Sequence, residues 1–326
     1  MTAVTCLTGL DPEAYRPHQL HGSERNWPET NCYVDLWIEL LHALGHQPEA
    51  ALGFTVTQDF EGDQFTFFKF PADDLAKLYG LRVQELAIYD RVEAHSLEQL
   101  QRGRMVLVEV DSFYLPDTRG TSYQATHGKT TIAINHLDTQ LRQLHYFHNA
   151  GYFKLEAADY DGIFRTETTD AAAALFPYVE FVKRGTPDST GASLQTALEL
   201  LRQHLRVRPQ QNPLRTYQQV FSTQAEQLSQ RPMEFFHLYA FNTLRQIGAN
   251  FELLSSHLNW LTQQGESGLE SAFESAGNIA AGAKTLQFQL ARAVTRKRFD
   301  KLDEMLATLA TSYDSVFEVL ASRYAK

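Results

Sequence analysis

Three scarcities bound this chain. It has only two cysteines, Cys6 and Cys32, among 326 residues, too few for a disulfide scaffold, which a chain of this length does not need. No apolar run approaches the roughly 18 residues that a membrane-spanning helix requires. Residues 1–30 show no basic segment followed by an apolar one, so neither a span nor a secretory signal is expected. Basic residues are outnumbered: 29 Lys and Arg against 39 Asp and Glu give a formal net charge of -10. That balance argues against a nucleic-acid surface, which needs clustered cations, and against binding to anionic membranes. The expected location is the cytoplasm, where Cys32 stays a free thiol.

What is present is material for a core. Hydrophobic residues make up 43% and aromatic residues 12%, enough for packed rather than disordered structure. At roughly 100–200 residues per domain, the length suggests two domains. The apolar spacing of Val34, Leu36, Trp37, Ile38, Leu40, Leu41 and Leu44 predicts a largely buried helix opening at Cys32. Thr30 or Asn31 stands at its N-cap and Gly45 at its end. Strands are expected within Phe54–Phe70. A short helix follows from Asp73 or Asp74 to Tyr79, then a strand over Leu81–Ile88 and a helix from Ser96 to Arg102. Met105–Asp111 reads as a central strand. Ser112–Thr126 is a loop, and Thr130–His136 and Leu141–Phe147 form a hairpin. Beyond residue 190 the pattern turns helical. Ser193–Leu205, Met233–Leu261, Ser271–Val294 and Phe299–Tyr324 carry three- and four-residue apolar spacings, and Pro209 and Pro213 read as breaks. The fold class is α+β for residues 1–187, followed by an all-α bundle over 188–326.

One constellation carries chemistry. A thiol in the first turn of a helix meets the positive end of the helix dipole and the unpaired amides of that turn, which favour thiolate and can receive an oxyanion. That describes Cys32. His127 sits where a Gly/Ser/Thr-rich loop enters a strand, a position suited to a general base. The hairpin returns at Asn149, the first choice for the group that orients the imidazole, with Asp138 in the turn as the alternative. His136, His145 and His148 lie near His127 in sequence, but no metal-binding spacing is formed, and none appears at His42 and His46. No metal is expected.

A Cys, a His and an amide or acid in that chain order, helix before sheet, is the layout of papain-like folds. The segment Asn31-Cys32-Tyr33 opening a helix resembles the BtrH-type acyltransferase family. So does Val108-Glu109-Val110-Asp111-Ser112-Phe113-Tyr114-Leu115-Pro116, followed by His127 and a hairpin. The resemblance covers roughly residues 26–165. It implies a papain-like domain that takes an aminoacyl or acyl group from the phosphopantetheine thioester of a partner carrier protein. The group would pass through Cys32 to an amine or similar small-molecule acceptor. No tightly bound cofactor is implied. The resemblance also implies an oxyanion or substrate role near Asn26, where papain-like peptidases carry Gln, and near Asn31, although the Cys32 amide is the stronger oxyanion donor. Asp111 and Tyr114 would line the acyl or acceptor pocket, Asp111 facing a substrate ammonium. The helical half offers Arg292, Arg296, Lys297 and Arg298 as a surface for an acidic carrier protein. The rival readings are a cysteine peptidase or amidase of the same fold, and a non-catalytic binding protein.

Overall fold

A computed structural model describes residues 3–166, 176–185, 193–299 and 302–324. The chain divides into two compact units. One comprises Met1–Gly22, Asn31–His46 and Pro71–Gly191; the other comprises Ser23–Thr30, Gln47–Phe70 and Ala192–Lys326. An α+β unit is thus followed by a helical one, as the patterning predicts, but two N-terminal segments fold with the helices. The expected boundary at 187/188 lies outside the described residues.

The α+β unit is built on a seven-stranded antiparallel sheet. Its strands are β1 (Ala3–Thr5), β2 (Leu81–Glu85), β3 (Met105–Asp111), β4 (Lys129–Asp138), β5 (Gln143–His148), β6 (Gly151–Glu156) and β7 (Val179–Arg184). Their order is β2-β7-β3-β4-β5-β6, with β1 also paired to β4. Helix α1 (Cys32–Ala43) packs on β4, β5 and β6. Its cap is Asn31, whose side-chain oxygen accepts from the Val34 amide at 3.0 Å. Helix α2 (Ala72–Tyr79) stops at Gly80, which has φ +67°, a left-handed C-cap that favours glycine. Helix α3 (Val92–Gln101) packs on β3 and β4. Its Leu100 joins Val106, Val108, Val110, Ile132, Ile134, Tyr146 and Tyr160 in one buried cluster. Tyr160 lies on α4 (Ala158–Phe164).

Sequence reasoning stops at the second hairpin strand and misses β6 and α4. The entry to α4 explains the second omission. Ala157 sits at φ +54°, ψ -120°, a region that a residue with a Cβ enters only under strain. Ala157→Gly should therefore raise the stability of this unit by about 1 kcal/mol, strain relief outweighing the chain entropy that glycine adds. Urea denaturation measures it, and a lower midpoint would contradict the strain.

The helical unit holds α5 (Leu194–Val207), α6 (Pro213–Leu228), α7 (Met233–Ala240), α8 (Gln246–Gln263), α9 (Glu270–Arg296) and α10 (Leu302–Tyr324). Helix α5 ends at Val207, before Pro209, as the proline break predicts, and Pro213 opens the next helix. Asn212 caps the amides of Leu214 and Arg215, and proline suits the first helical position because its missing N–H would be unpaired there. The single helix expected over Met233–Leu261 is interrupted by a π-turn at Phe241–Arg245. The strands expected within Phe54–Phe70 do not form. Pro48–Thr57 is a 3-10 stretch, and only an isolated bridge joins Phe60 to Phe65. Those aromatics instead pack around Tyr217, 5.2 and 5.3 Å away.

Polar anchors explain why both N-terminal segments fold with the helices. The Trp27 indole donates to the Ala280 carbonyl at 2.9 Å, and the Asn26 and Trp27 amides donate to Glu252. The Trp27 ring lies so close over α8 that a Cβ at Gly248 would fall 2.2 Å from it. His257 and Asn250 on α8 donate to the carbonyls of Glu49 and Thr55. Among the described residues, no helix is long and apolar enough to cross a membrane.

Candidate functional site

A cavity of about 980 Å³ opens at the end of the sheet, where β3 leaves and β4 and β7 begin. Asp111 ends β3. Its Oδ2 accepts from His127 Nδ1 at 2.6 Å, and its Oδ1 accepts from the amides of Phe113 and Gly128 at 3.0 and 3.1 Å. The β3–β4 register, which pairs Asp111 with Lys129, puts the carboxylate beside the residues that precede β4. Partial burial pushes the Asp111 carboxyl upward, but the hydrogen bonds from His127, Phe113 and Gly128 outweigh it and hold it below its usual range. A carboxylate fixed in that form keeps the Nδ1 proton in place and leaves Nε2 as the basic nitrogen. The Phe113 ring stacks on the imidazole, with centroids 4.5 Å apart and planes at 14°.

Tyr114 lines the same cavity as Asp111 and His127. It packs on Gly162 of α4, where a Cβ would stand 2.1 Å from the ring. Lys129 and Glu109 form an ion pair at 2.8 Å on the cavity wall. The arrangement offers a base, an orienting acid, aromatic walls and charges of both signs.

Cys32 is the first residue of α1 and is half-buried. It does not line the cavity, and among the described residues its sulfur forms no hydrogen bond with His127. The two are nonetheless related by the sheet. The Tyr33 hydroxyl, next to Cys32, donates to Glu180 of β7 at 2.9 Å. Glu180 pairs directly with Leu107 of β3. Alternation along a strand then puts Leu107, Glu109 and Asp111 on the face that α1 covers. The first turn of α1 and the Asp111–His127 pair therefore share a face of the sheet.

The other sequence candidates have local roles. Asn149, at φ +44°, lies in the turn joining β5 to β6, where His148 pairs with Gly151. The orienting bond to His127 Nδ1 comes from Asp111. Asp138 holds the β4–β5 turn by accepting from the amides of Gln140 and Leu141, each at 2.9 Å. Asn31 is the α1 cap, and Asn26 belongs to the helical unit. His136 and His145 face each other across β4 and β5, with rings 4.6 Å apart. Among the described residues, no three His, Cys, Asp or Glu side chains converge to hold a metal.

Sequence reasoning missed a second His–Asp pair beneath the loop. Asp117 Oδ2 accepts from His148 Nδ1 at 2.5 Å, and its Oδ1 accepts from the Tyr146 hydroxyl at 2.6 Å. His148 Nε2 lies 2.7 Å from the Thr130 hydroxyl. Both side chains of the pair are almost fully buried. The chain of bonds ties the loop bearing Phe113 and Tyr114 to β4 and β5.

A third cluster anchors α1. His21 bonds Glu39 through Nδ1 and Asp35 through Nε2, and Tyr15 donates to Glu39 at 2.6 Å. Burial pushes the His21 imidazole downward, but the hydrogen bonds and charges of Asp35 and Glu39 outweigh it and raise it to about 9. A raised histidine stabilises the fold fully below its unfolded value of about 6.5. That contribution disappears as pH rises through about 9. Melts from about pH 6 to about pH 10 should show the wild type losing stability relative to His21→Gln across this interval. Parallel curves would contradict it.

The chain thus defines a class of protein. An antiparallel α+β unit with a His–Asp pair over an end-of-sheet cavity is followed by a helical unit. The DUF1839 N-terminal domain matches residues 16–184 and the DUF1839 C-terminal domain matches residues 191–322. The chain belongs to the DUF1839 family. No curated protein matches it significantly.

Proposed function

We propose that the protein is a cysteine-dependent acyltransferase of papain-like, BtrH-type architecture, with Cys32 as nucleophile, His127 as general base and Asp111 as the orienting acid. The observation that carries this reading is the shared sheet face of the α1 first turn and the Asp111–His127 pair. His127 Nε2 takes the Cys32 proton, and the thiolate adds to a thioester carbonyl. The Cys32 amide donates to the oxyanion. The C–S bond to the donor thiol breaks, and the departing thiolate takes the proton from His127. An acceptor amine then adds to the acyl-enzyme and gives its proton to His127, and Cys32 leaves as thiolate to be reprotonated. The donor in this reading is a carrier-protein phosphopantetheine thioester, with Tyr114 on the cavity wall beside the acyl or acceptor group.

A specific observation favours a second reading. Cys32 is not among the residues lining the cavity that holds His127. A His127–Asp111 pair that activates water or an acceptor directly would need no thiol. Intact-mass spectrometry of the wild type and Cys32→Ala with aminoacyl thioesters separates the two. Acyl-transfer through Cys32 gives an adduct on the wild type that Cys32→Ala lacks. Thioester turnover retained in Cys32→Ala without any adduct supports direct activation and ends the covalent reading.

A further inference from the structure

The helical unit carries exposed apolar side chains beside two cations. Phe288 of α9 is 58% exposed, and Leu238 and Phe241 on the α7 side are 62% and 37% exposed. Between them lie two cations. The Arg245 guanidinium sits 5.4 Å from the Phe241 ring. The Lys284 ammonium sits 4.3 Å over the Trp27 ring and 5.9 Å from Phe288. The Trp27 ring joins the two sides: it packs on Gly248 of α8, three residues beyond Arg245, and carries the Lys284 ammonium over its face. The nearby acids are already engaged. Glu252 accepts from the Asn26 and Trp27 amides and faces Arg25 at 3.8 Å, and Glu29 lies 3.8 Å from Arg245. Among the described residues, Lys284 has no ion pair or hydrogen bond. Burial and the charge of Arg245 press its ammonium below the usual lysine range, with Glu252 partly opposing them.

An ammonium held against an indole face, with no ion pair or hydrogen bond among the described residues, is complementary to an arriving carboxylate. Its exposed aromatic flanks are complementary to an apolar ridge beside that carboxylate. We infer that the strip formed by Leu238, Phe241, Arg245, Lys284 and Phe288 docks a partner protein through an amphipathic helix bearing carboxylates beside an apolar ridge. The Arg292–Arg298 group is a weaker candidate. It lies at the C-terminal end of α9, where cations complement the helix dipole without any partner. The inference is independent of the acyl-transfer reading.

The test is fluorescence anisotropy with a labelled helical peptide of about 20 residues, leucines on one face and glutamates beside them. A lysine-for-glutamate version and a serine-for-leucine version serve as comparators. The acidic, leucine-faced peptide should bind the full chain, more weakly as salt rises, and both comparators should bind at least about tenfold more weakly. Lys284→Glu and Phe288→Ser should each weaken binding by about tenfold. Both side chains are at the surface, and an unchanged melting temperature will confirm that each variant folds. Three results would overturn the inference: no binding, equal binding of the lysine version, or affinity unchanged in both variants.

Discussion

Asp117→Ala should cost the α+β unit about 3–5 kcal/mol and lower its melting temperature by on the order of 10 °C. The reason is burial rather than attraction. The Asp117 and His148 side chains are 3% and 2% exposed, and Tyr146 and Thr130 complete the bond chain. Removing the carboxylate strands the Tyr146 hydroxyl and His148 Nδ1 where no water reaches them, and each pays its desolvation in full. Asp117→Asn preserves shape and one acceptor, so it should cost less than the alanine variant. Hydrogen exchange should show the loss in β4 and β5, which the chain joins to the loop. A change under about 1 kcal/mol for the alanine variant would mean that this network does not hold the loop.

The second large effect is opposite in kind. His127→Ala should slow acylation of Cys32 by about 10²–10⁴-fold while leaving stability nearly unchanged. The side chain is 69% exposed, and an exposed ion pair contributes little to folding. In the proposed reaction its role rests on the Nε2 lone pair, which the Asp111 bond to Nδ1 leaves free. Asp111→Asn should slow the same step by less than the alanine variant, because the imidazole remains but loses its enforced tautomer. Equal rates in wild type and His127→Ala would remove His127 from the chemistry. The buried His148–Asp117 pair should therefore govern stability and the exposed His127–Asp111 pair the rate.

Much of the frame is legible in the residues. The α1 cap at Asn31, the Gly80 stop and the β3 apolar run follow from local rules about caps, left-handed glycine and buried strands. Tertiary decisions are not legible in the same way. Phe60 and Phe65 have strand-forming residue types, yet they pack on the Tyr217 ring of the helical unit, and nothing within the segment signals that. The site divides along the same line. Cys32 and His127 stand out by position. The partner of His127 depends on the β3–β4 register, which sets Asp111 beside it. Antiparallel alignment of Met105–Asp111 with Thr130–His136 would have suggested that pairing. The hairpin return carries the chain to Asn149 near the start of β4, but β6 follows at once. With β6 present, Asn149 becomes the residue that turns the chain at positive φ.

The central claim is that Cys32 and His127 act on one another. The most direct measurement is the rate of Cys32 alkylation by iodoacetamide from about pH 5 to about pH 9, in wild type and His127→Ala. Cys6 serves as the internal reference, its thiol pushed upward by burial, partly opposed by Arg184. Mass spectrometry assigns each modified site. The account predicts that Cys32 reacts faster than Cys6 at neutral pH, and that loss of His127 slows Cys32 and moves its rate profile to higher pH. A Cys32 profile unaltered by His127→Ala would contradict it.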